Sequence, residues 1–291
     1  MKIALHGKPF IEETIPCIDQ VVSELGKRDV ELWFSEEFAK TIEESSYSTD
    51  TSRRFARLEA VSNVDYVFSI GGDGTLLETV TQVNTQEIPI LGINTGRLGF
   101  LATISRKDIT SAISSLFEND FSLDQRSLLR LETKEGLFGD LNFALNEATV
   151  VKKDSSSMIK VICNIDDQYL NTYWADGLMI STPTGSTGYS LSCGGPVILP
   201  QSNNFLITPI NPHNLNVRPM VVSDSNVISI EVDSRGTNFL ASLDSRSETV
   251  DSSVKMTIKR ESFQVKLIKL KGFSFLDTLR NKLNWGFDVR N

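Results

Sequence analysis

The chain has 291 residues, 40% of them hydrophobic and 23% charged, enough to bury a core in one or two domains without disulfide or metal staples. Its 37 Asp and Glu outweigh 29 Lys and Arg, for a formal charge of -8, which argues against a nucleic-acid binder and against an anionic membrane surface as a resting place. Cys17, Cys163 and Cys193 form no CxxC pair and His6 and His213 are the only histidines, so a zinc centre, a disulfide framework and a Cys/His protease are all poorly matched. No apolar run reaches membrane-spanning length and the N-terminus has no leader-like pattern, so the expected compartment is the reducing cytoplasm.

Residues 2–5 read as a short buried strand. Ile11, Ile15, Ile18, Val22 and Leu25 recur at helical spacing, with Gly26 at the C-cap position. Strands follow at 31–34 and 66–70, and the Ser-rich stretch 45–52 between them reads as a mobile loop. A helix is predicted over 75–83, a strand over 89–93, and a helix from Ser105, with Asp108 three residues on, to about Phe117. Alternating β and α elements imply a parallel sheet covered by helices.

The texture changes near residue 120. Residues 127–133, 141–151, 158–165, 168–173, 227–232, 239–243, 254–259 and 264–270 suit strands, with Asp166-Asp167 as a hairpin turn. These strands predict an all-β domain, a sandwich. Phe275, Leu276, Leu279 and Leu283 then form a helical stripe behind Ser274, in the manner of the first region. The expected fold is α/β plus all-β, with an α/β domain at 1–120 completed by 271–291 and a β-sandwich at 121–270.

Gly71-Gly72-Asp73-Gly74-Thr75 follows an apolar strand and precedes a helix, where parallel sheets bind ligands. Glycines let backbone approach a phosphate, and a helix N-terminus adds a positive dipole end. Asp73 would repel phosphate as a mere binding group; it suits a proton acceptor for a hydroxyl nucleophile, or a holder of a metal on the phosphates. The same five residues also suit a tight turn. Neither a Walker loop nor G-x-G-x-x-G is present here. The loop resembles that of a kinase superfamily containing NAD kinases, 6-phosphofructokinases and diacylglycerol and sphingosine kinases.

Two further motifs bear on the acceptor. Asn146-Glu147 lies in a strand candidate; on a regular strand the two side chains diverge, at a break both address one ribose, and an ordinary surface position fits the pair equally well. Trp174-Ala175-Asp176-Gly177 leads through an apolar segment into Thr182-Pro183-Thr184-Gly185-Ser186-Thr187-Gly188-Tyr189-Ser190, rich in hydroxyls and glycines with one ring to stack on a base. Cys193-Gly194-Gly195-Pro196 continues that run.

In this order the motifs resemble those of bacterial NAD kinases, from about Val67 to Val222, and Ser242-Leu243-Asp244 and residues 212–219 resemble further family segments. The resemblance implies a Rossmann-like α/β domain, a β-sandwich and a C-terminal segment returning to the first domain. It implies transfer of the ATP γ-phosphoryl to the 2′-hydroxyl of the adenosine ribose of NAD, with Mg²⁺ accompanying ATP and no residue assigned as a metal ligand. By the same resemblance Asp73 is the catalytic base and Gly74 a backbone contact. Asn146 and Glu147 address the NAD ribose and nicotinamide side. Thr184, Thr187, Gly188, Tyr189, Ser190, Leu191 and Ser192 hold adenine and ribose, and Phe100 walls the adenine. Asp176 is an acidic contact supplied across the subunit interface of a homodimer or homotetramer. Departures are Gly188 where Ala is usual, Glu78 where a basic residue is frequent, and Ser245-Arg246 where Gly-Gln follows Asp244, which leaves contacts at 244–246 open. Lys8 and Arg97 stand as candidate phosphate contacts, and His213 reads either as a site residue or as a loop hydrogen-bonding residue. A lipid kinase of the same superfamily would need an apolar acceptor pocket where 176–190 is polar; a catalytically silent dinucleotide-binding regulator would retain the loop without turnover.

Overall fold

The computed structural model describes residues 1–7, 14–44, 49–96, 99–153, 158–233 and 238–286. The chain forms two compact units, Met1–Gln125 with Val265–Asn291, and Arg126–Gln264.

The first unit begins β1 (Lys2–Gly7), α1 (Ile15–Gly26), β2 (Glu31–Ser35), α2 (Glu36–Glu44), β3 (Arg54–Phe55), β4 (Tyr66–Gly71), α3 (Asp73–Val83), β5 (Ile90–Asn94) and α4 (Ile109–Phe117). The strands pair in parallel in the order β5, β4, β1, β2, β3. Their interior residues, such as Ile3, Leu5, Val67, Phe68 and Leu91, are fully buried, which is why these strands read as unbroken apolar runs. In α1 the buried face is Cys17, Ile18, Val21 and Leu25; Val22 of the expected stripe is only half-buried, and Ile11 lies outside the described residues. Helix α2 is an addition to the sequence reading: it starts directly at the end of β2 and buries only Phe38, Ala39, Thr41 and Ile42, too short a stripe to stand out among its charges. Of the expected 45–52 loop, residues 45–48 lie outside the described residues.

The chain then forms β6 (Phe121–Glu132), β7 (Phe143–Ala144), β8 (Glu147–Lys152), β9 (Ile159–Ile165), β10 (Gln168–Ala175), β11 (Gly177–Ser181), α5 (Tyr189–Ser192), β12 (Asn204–Ile210), β13 (Met220–Ser223), β14 (Ile228–Asp233), β15 (Asn238–Leu243), β16 (Arg246–Asp251), β17 (Met256–Leu270) and α6 (Phe275–Leu283). In the second unit, β13, β12, β11, β8, β15 and β16 make one antiparallel sheet. Strands β10, β9, β14 and the first part of β17 make another antiparallel set. Phe205, Ile180, Val150 and Phe239 from the former and Val161, Cys163, Ile230 and Met256 from the latter share one core, so the expected sandwich is present. Asp166 and Asp167 both adopt positive φ, 47° and 63°, as a tight hairpin between β9 and β10 requires.

Two expectations change. The strands read at 254–259 and 264–270 are one 15-residue strand, β17; the polar Glu261 between them stays in the strand because it is buried and paired with Arg130 at 3.6 Å. The strand read at 141–151 is broken after Ala144, and Asn146-Glu147 sits at that break. The chain's last segment returns to the first unit, where Leu267 of β17 pairs in parallel with Ile90 and Ser274 Oγ caps α6 by accepting from Leu276 N at 3.2 Å.

Candidate active site

Asp73 is the first residue of α3, so the amides of Asp73, Gly74 and Thr75 have no partner within the helix. Its carboxylate accepts three consecutive backbone N–H groups: Phe100 on Oδ2 at 2.8 Å, and Leu101 and Ala102 on Oδ1 at 3.0 and 2.9 Å. Among the described residues Oδ2 accepts one of these three bonds and Oδ1 two. This close wrap depends on Gly99, where a Cβ would lie 1.9 Å from Asp73 Oδ1. Gly72 and Gly74 face open space and are exposed. Phe100 is half-buried with its ring 6.4 Å from that of Phe275 in α6. Asp73, Gly74 and Phe100 are marked separately in the sequence; the amides that join Asp73 to Phe100, and Gly99 that permits them, carry no local sequence signal.

In the second unit the break at 145–147 is gripped on both edges. Asp244, in the turn between β15 and β16, accepts Leu145 N on Oδ2 at 2.9 Å, and Asn146 N and Glu147 N on Oδ1 at 2.8 and 3.1 Å. Asp244 N donates back to Glu147 O at 3.0 Å. On the other edge Thr182 Oγ1 donates to Leu145 O at 2.5 Å and Thr182 N to Asn146 O at 2.8 Å. Gly185 is glycine for steric reasons: a Cβ there would meet Asn146 O at 2.3 Å. Glu147 Oε2 is buried with no hydrogen-bond partner. Burial, then the charge of Asp244, pushes the Glu147 carboxyl up to about 8, so it holds its proton at neutral pH. Asp244 is itself pushed upward by burial, while its three amide donors and Arg246 oppose that shift. With three donors on Asp244 and none on Glu147 Oε2, the proton of the pair resides on Glu147.

The run after β11 is more compact than an open hydroxyl loop. Thr184–Thr187 is a 3₁₀ turn and Tyr189–Ser192 is the short α5. Ser186 and Ser190 are fully buried; Ser190 Oγ pairs with Thr208 Oγ1 at 2.9 Å, and Thr184 Oγ1 accepts from Arg126 at 3.2 Å. The exposed members are Gly188, Tyr189 and Ser192, with Thr187 and Leu191 half-exposed. Gly188 adjoins the other cluster, since a Cβ there would stand 3.8 Å from Glu147 Oε2. Asp176 is remote from Glu147 but not from the turn, since its charge is among the influences that push the Tyr189 hydroxyl upward, after burial and Cys193. Ser181 pairs with Glu147 but Gly177 pairs with Val151, so Asp176 lies beyond the far end of β11, roughly 17 Å along the strand. There it bonds Lys152 Nζ at 2.7 Å, which holds its carboxyl below the usual range.

Lys8 and Arg97 lie outside the described residues. His6 is buried, with Nδ1 paired to Ser35 Oγ at 2.9 Å and Nε2 3.9 Å from Glu78 Oε2. A cavity of about 390 Å³ in this unit is lined by His6, Ser35, Lys40 and Gln82 rather than by Asp73. His213 N donates to Trp174 O at 2.8 Å, a loop contact. Among the described residues no three His, Cys, Asp or Glu converge as a metal-binding group, and no helix is long and apolar enough to cross a membrane.

Comparison with known proteins gives a consistent result. Residues 4–121 match the ATP-NAD kinase N-terminal domain and residues 145–270 the ATP-NAD kinase C-terminal domain. The NAD kinase of Cytophaga hutchinsonii is 50% identical over 292 residues, covering 100% of both chains. Among solved structures, yeast NADH kinase complexed with NADH superposes with a TM-score of 0.88 at 23% identity, covering 99% of this chain and 89% of that one. An NAD kinase from Archaeoglobus fulgidus in complex with ATP superposes with a TM-score of 0.76 at 24% identity, covering 98% of this chain and 99% of that one. With both parts matched and a relative half identical from end to end, the chain belongs to the ATP-NAD kinase family.

Proposed function

We propose that the protein is an ATP-dependent NAD kinase that moves the γ-phosphoryl group of ATP to the 2′-hydroxyl of the adenosine ribose of NAD. The observation that carries the chemistry is the Asp73 carboxylate, fixed in place by three amides at the N-terminus of α3, between the exposed Gly72 and Gly74. In the step proposed, the 2′-oxygen forms its bond to the γ-phosphorus, its proton passes to Asp73, and the bond to the bridging oxygen breaks to release ADP. A positioned base contributes about a hundred- to ten-thousand-fold. Gly74 N–H at the helix start supplies a phosphate donor, and Mg²⁺ enters bound to the phosphates of ATP and neutralises their charge.

Asn146 and Glu147 take the ribose and nicotinamide side of NAD; the buried Glu147 Oε2, which has no hydrogen-bond partner, supports this reading. Phe100 walls the adenine. The segment with Thr184, Thr187, Gly188, Tyr189, Ser190, Leu191 and Ser192 holds adenine and ribose, with the exposed Tyr189 ring available for stacking and Thr184 and Ser190 shaping the turn from inside. Asp176 serves a second copy of the chain in a homodimer or homotetramer, by the family resemblance; within its own chain it lies at the far end of β11 from Glu147 and within electrostatic reach of Tyr189. The cytoplasm is the proposed compartment, supported by three free thiols.

Incubation with ATP, Mg²⁺ and NAD, read through an NADP-specific dehydrogenase, tests the assignment. NADP should accumulate; its absence with the folded protein would sink the proposal.

A further inference from the structure

We infer that Asp244 and Arg246, on one β-turn, are the positioning residues that set Asn146 and Glu147 for the dinucleotide, an inference that rests on the NAD kinase reading above. The turn grips the segment 141–147 by both kinds of backbone group. Arg246 donates to the carbonyls of Leu141 and Phe143, and its guanidinium lies 5.6 Å from the Phe143 ring centre. Asp244 accepts the next three amides, those of Leu145, Asn146 and Glu147. Ordinary sheet pairing would have a strand supply these partners; here the chain is broken after Ala144 and two side chains replace the ladder.

The replacement has a consequence for direction. Consecutive residues on a regular strand point to opposite faces. Three successive amides converging on one carboxylate require a turned backbone, and only such a turn lets Asn146 and Glu147 address one ligand. Asp244 has φ 52°, a left-handed conformation that Asp tolerates better than most residues, and this turns its side chain back onto the segment. Thr182 closes the other edge, so every backbone polar group from Leu145 N to Glu147 O has a partner in the second unit.

Asp244 is also the charge beside Glu147, with Arg246 behind it on the same turn, while from the other side uncharged Gly188 faces Glu147 Oε2. A residue that only stabilised the sandwich would, when replaced, weaken use of both substrates and lower the melting temperature, so a loss confined to KM for NAD separates the two roles; the titration of Glu147 reports that the two carboxyls remain adjacent.

The test uses the full chain, wild type alongside Asp244→Asn and Arg246→Gln, with steady-state constants for NAD and ATP, a pH profile of kcat/KM for NAD, and thermal melting. Asp244→Asn should raise KM for NAD at least tenfold, with KM for ATP and kcat changed less than threefold. The basic limb assigned to Glu147 should move to lower pH, because the neighbouring negative charge is gone. Arg246→Gln should raise KM for NAD severalfold. A folded Asp244→Asn with unchanged KM and limb would overturn the inference, as would parallel losses for both substrates without a limb shift. If Asp244→Asn does not fold, Arg246→Gln decides: wild-type KM for NAD overturns the inference. A wild-type chain that makes no NADP instead refutes the kinase reading itself.

Discussion

Gly99 and Asp73 are in such close approach that a Cβ on residue 99 would stand 1.9 Å from Asp73 Oδ1. The glycine is what lets the amides of Phe100, Leu101 and Ala102 close on the carboxylate. Gly99→Ala should therefore open that loop, displace Phe100 and lower kcat/KM for NAD at least tenfold. Steady-state kinetics with a thermal melt would check it; full activity would show that the wrap is incidental to turnover.

Asp73→Asn separates the two duties of that carboxylate. An Asn amide would turn its own donors toward one of the three backbone N–H groups, costing about 1–3 kcal/mol of stability. As a base the residue should be irreplaceable, with kcat falling at least about a hundredfold and KM for NAD held within a few fold. A large KM effect with near-normal kcat would make Asp73 an anchor of the loop and not the base.

Glu147 gives a pH dependence with a definite sign. Its carboxyl rises from the ordinary 4.5 to about 8 in the folded chain, so the native state binds the proton more tightly than the unfolded one. Its contribution to stability is complete below about 4.5 and is lost as pH rises to about 8. Glu147→Gln should flatten the melting temperature across this window. Ionised Glu147 also adds negative charge beside Asp244 and toward an anionic dinucleotide, so kcat/KM for NAD should fall above about pH 8 in wild type. Parallel melting curves for wild type and variant across the window would remove the assignment.

Thr182 is fully buried and supplies both its hydroxyl and its amide to the 145–147 segment. Thr182→Val keeps the shape but strands the Leu145 carbonyl, which costs about 1–3 kcal/mol. Thr182→Ser should keep most of the stability. Denaturant unfolding of the pair measures the difference, and equal loss in both variants would show that the methyl group contributes as much as the hydroxyl bond.

Ser190 and Tyr189 are neighbours with opposite expected phenotypes. Ser190 is buried on Thr208, so Ser190→Ala should cost about 1 kcal/mol of stability with little change in KM for NAD. Tyr189 is 47% exposed, so Tyr189→Ala should leave melting unchanged and raise KM for NAD severalfold. The reverse pattern would move the ligand contact from Tyr189 to Ser190.

Much of the first unit was legible because β1, β4 and β5 are buried on both faces and read as plain apolar runs, as in residues 66–70. Helix α2 was not, because its short apolar stripe follows β2 without a turn signal. In the second unit strands such as β9, β10, β14 and β15 were visible, while β12, β13 and β16 were not, and 254–270 looked like two strands, since burial of Glu261 depends on Arg130, more than a hundred residues away in sequence.

By itself the sequence determined the kinds of groups available: a carboxylate between glycines ahead of a helix, an Asn-Glu pair, and a run of small hydroxyl residues, each marked by local composition. Only the tertiary structure decided how they are used. Asp73 receives its three amides from residues 27 to 29 positions away, and Asn146 and Glu147 are turned by a carboxylate 97 to 98 positions away. Hydrogen bonds of that span leave no periodicity in the chain, because what aligns them is the packing of whole strands and not the preference of any one residue.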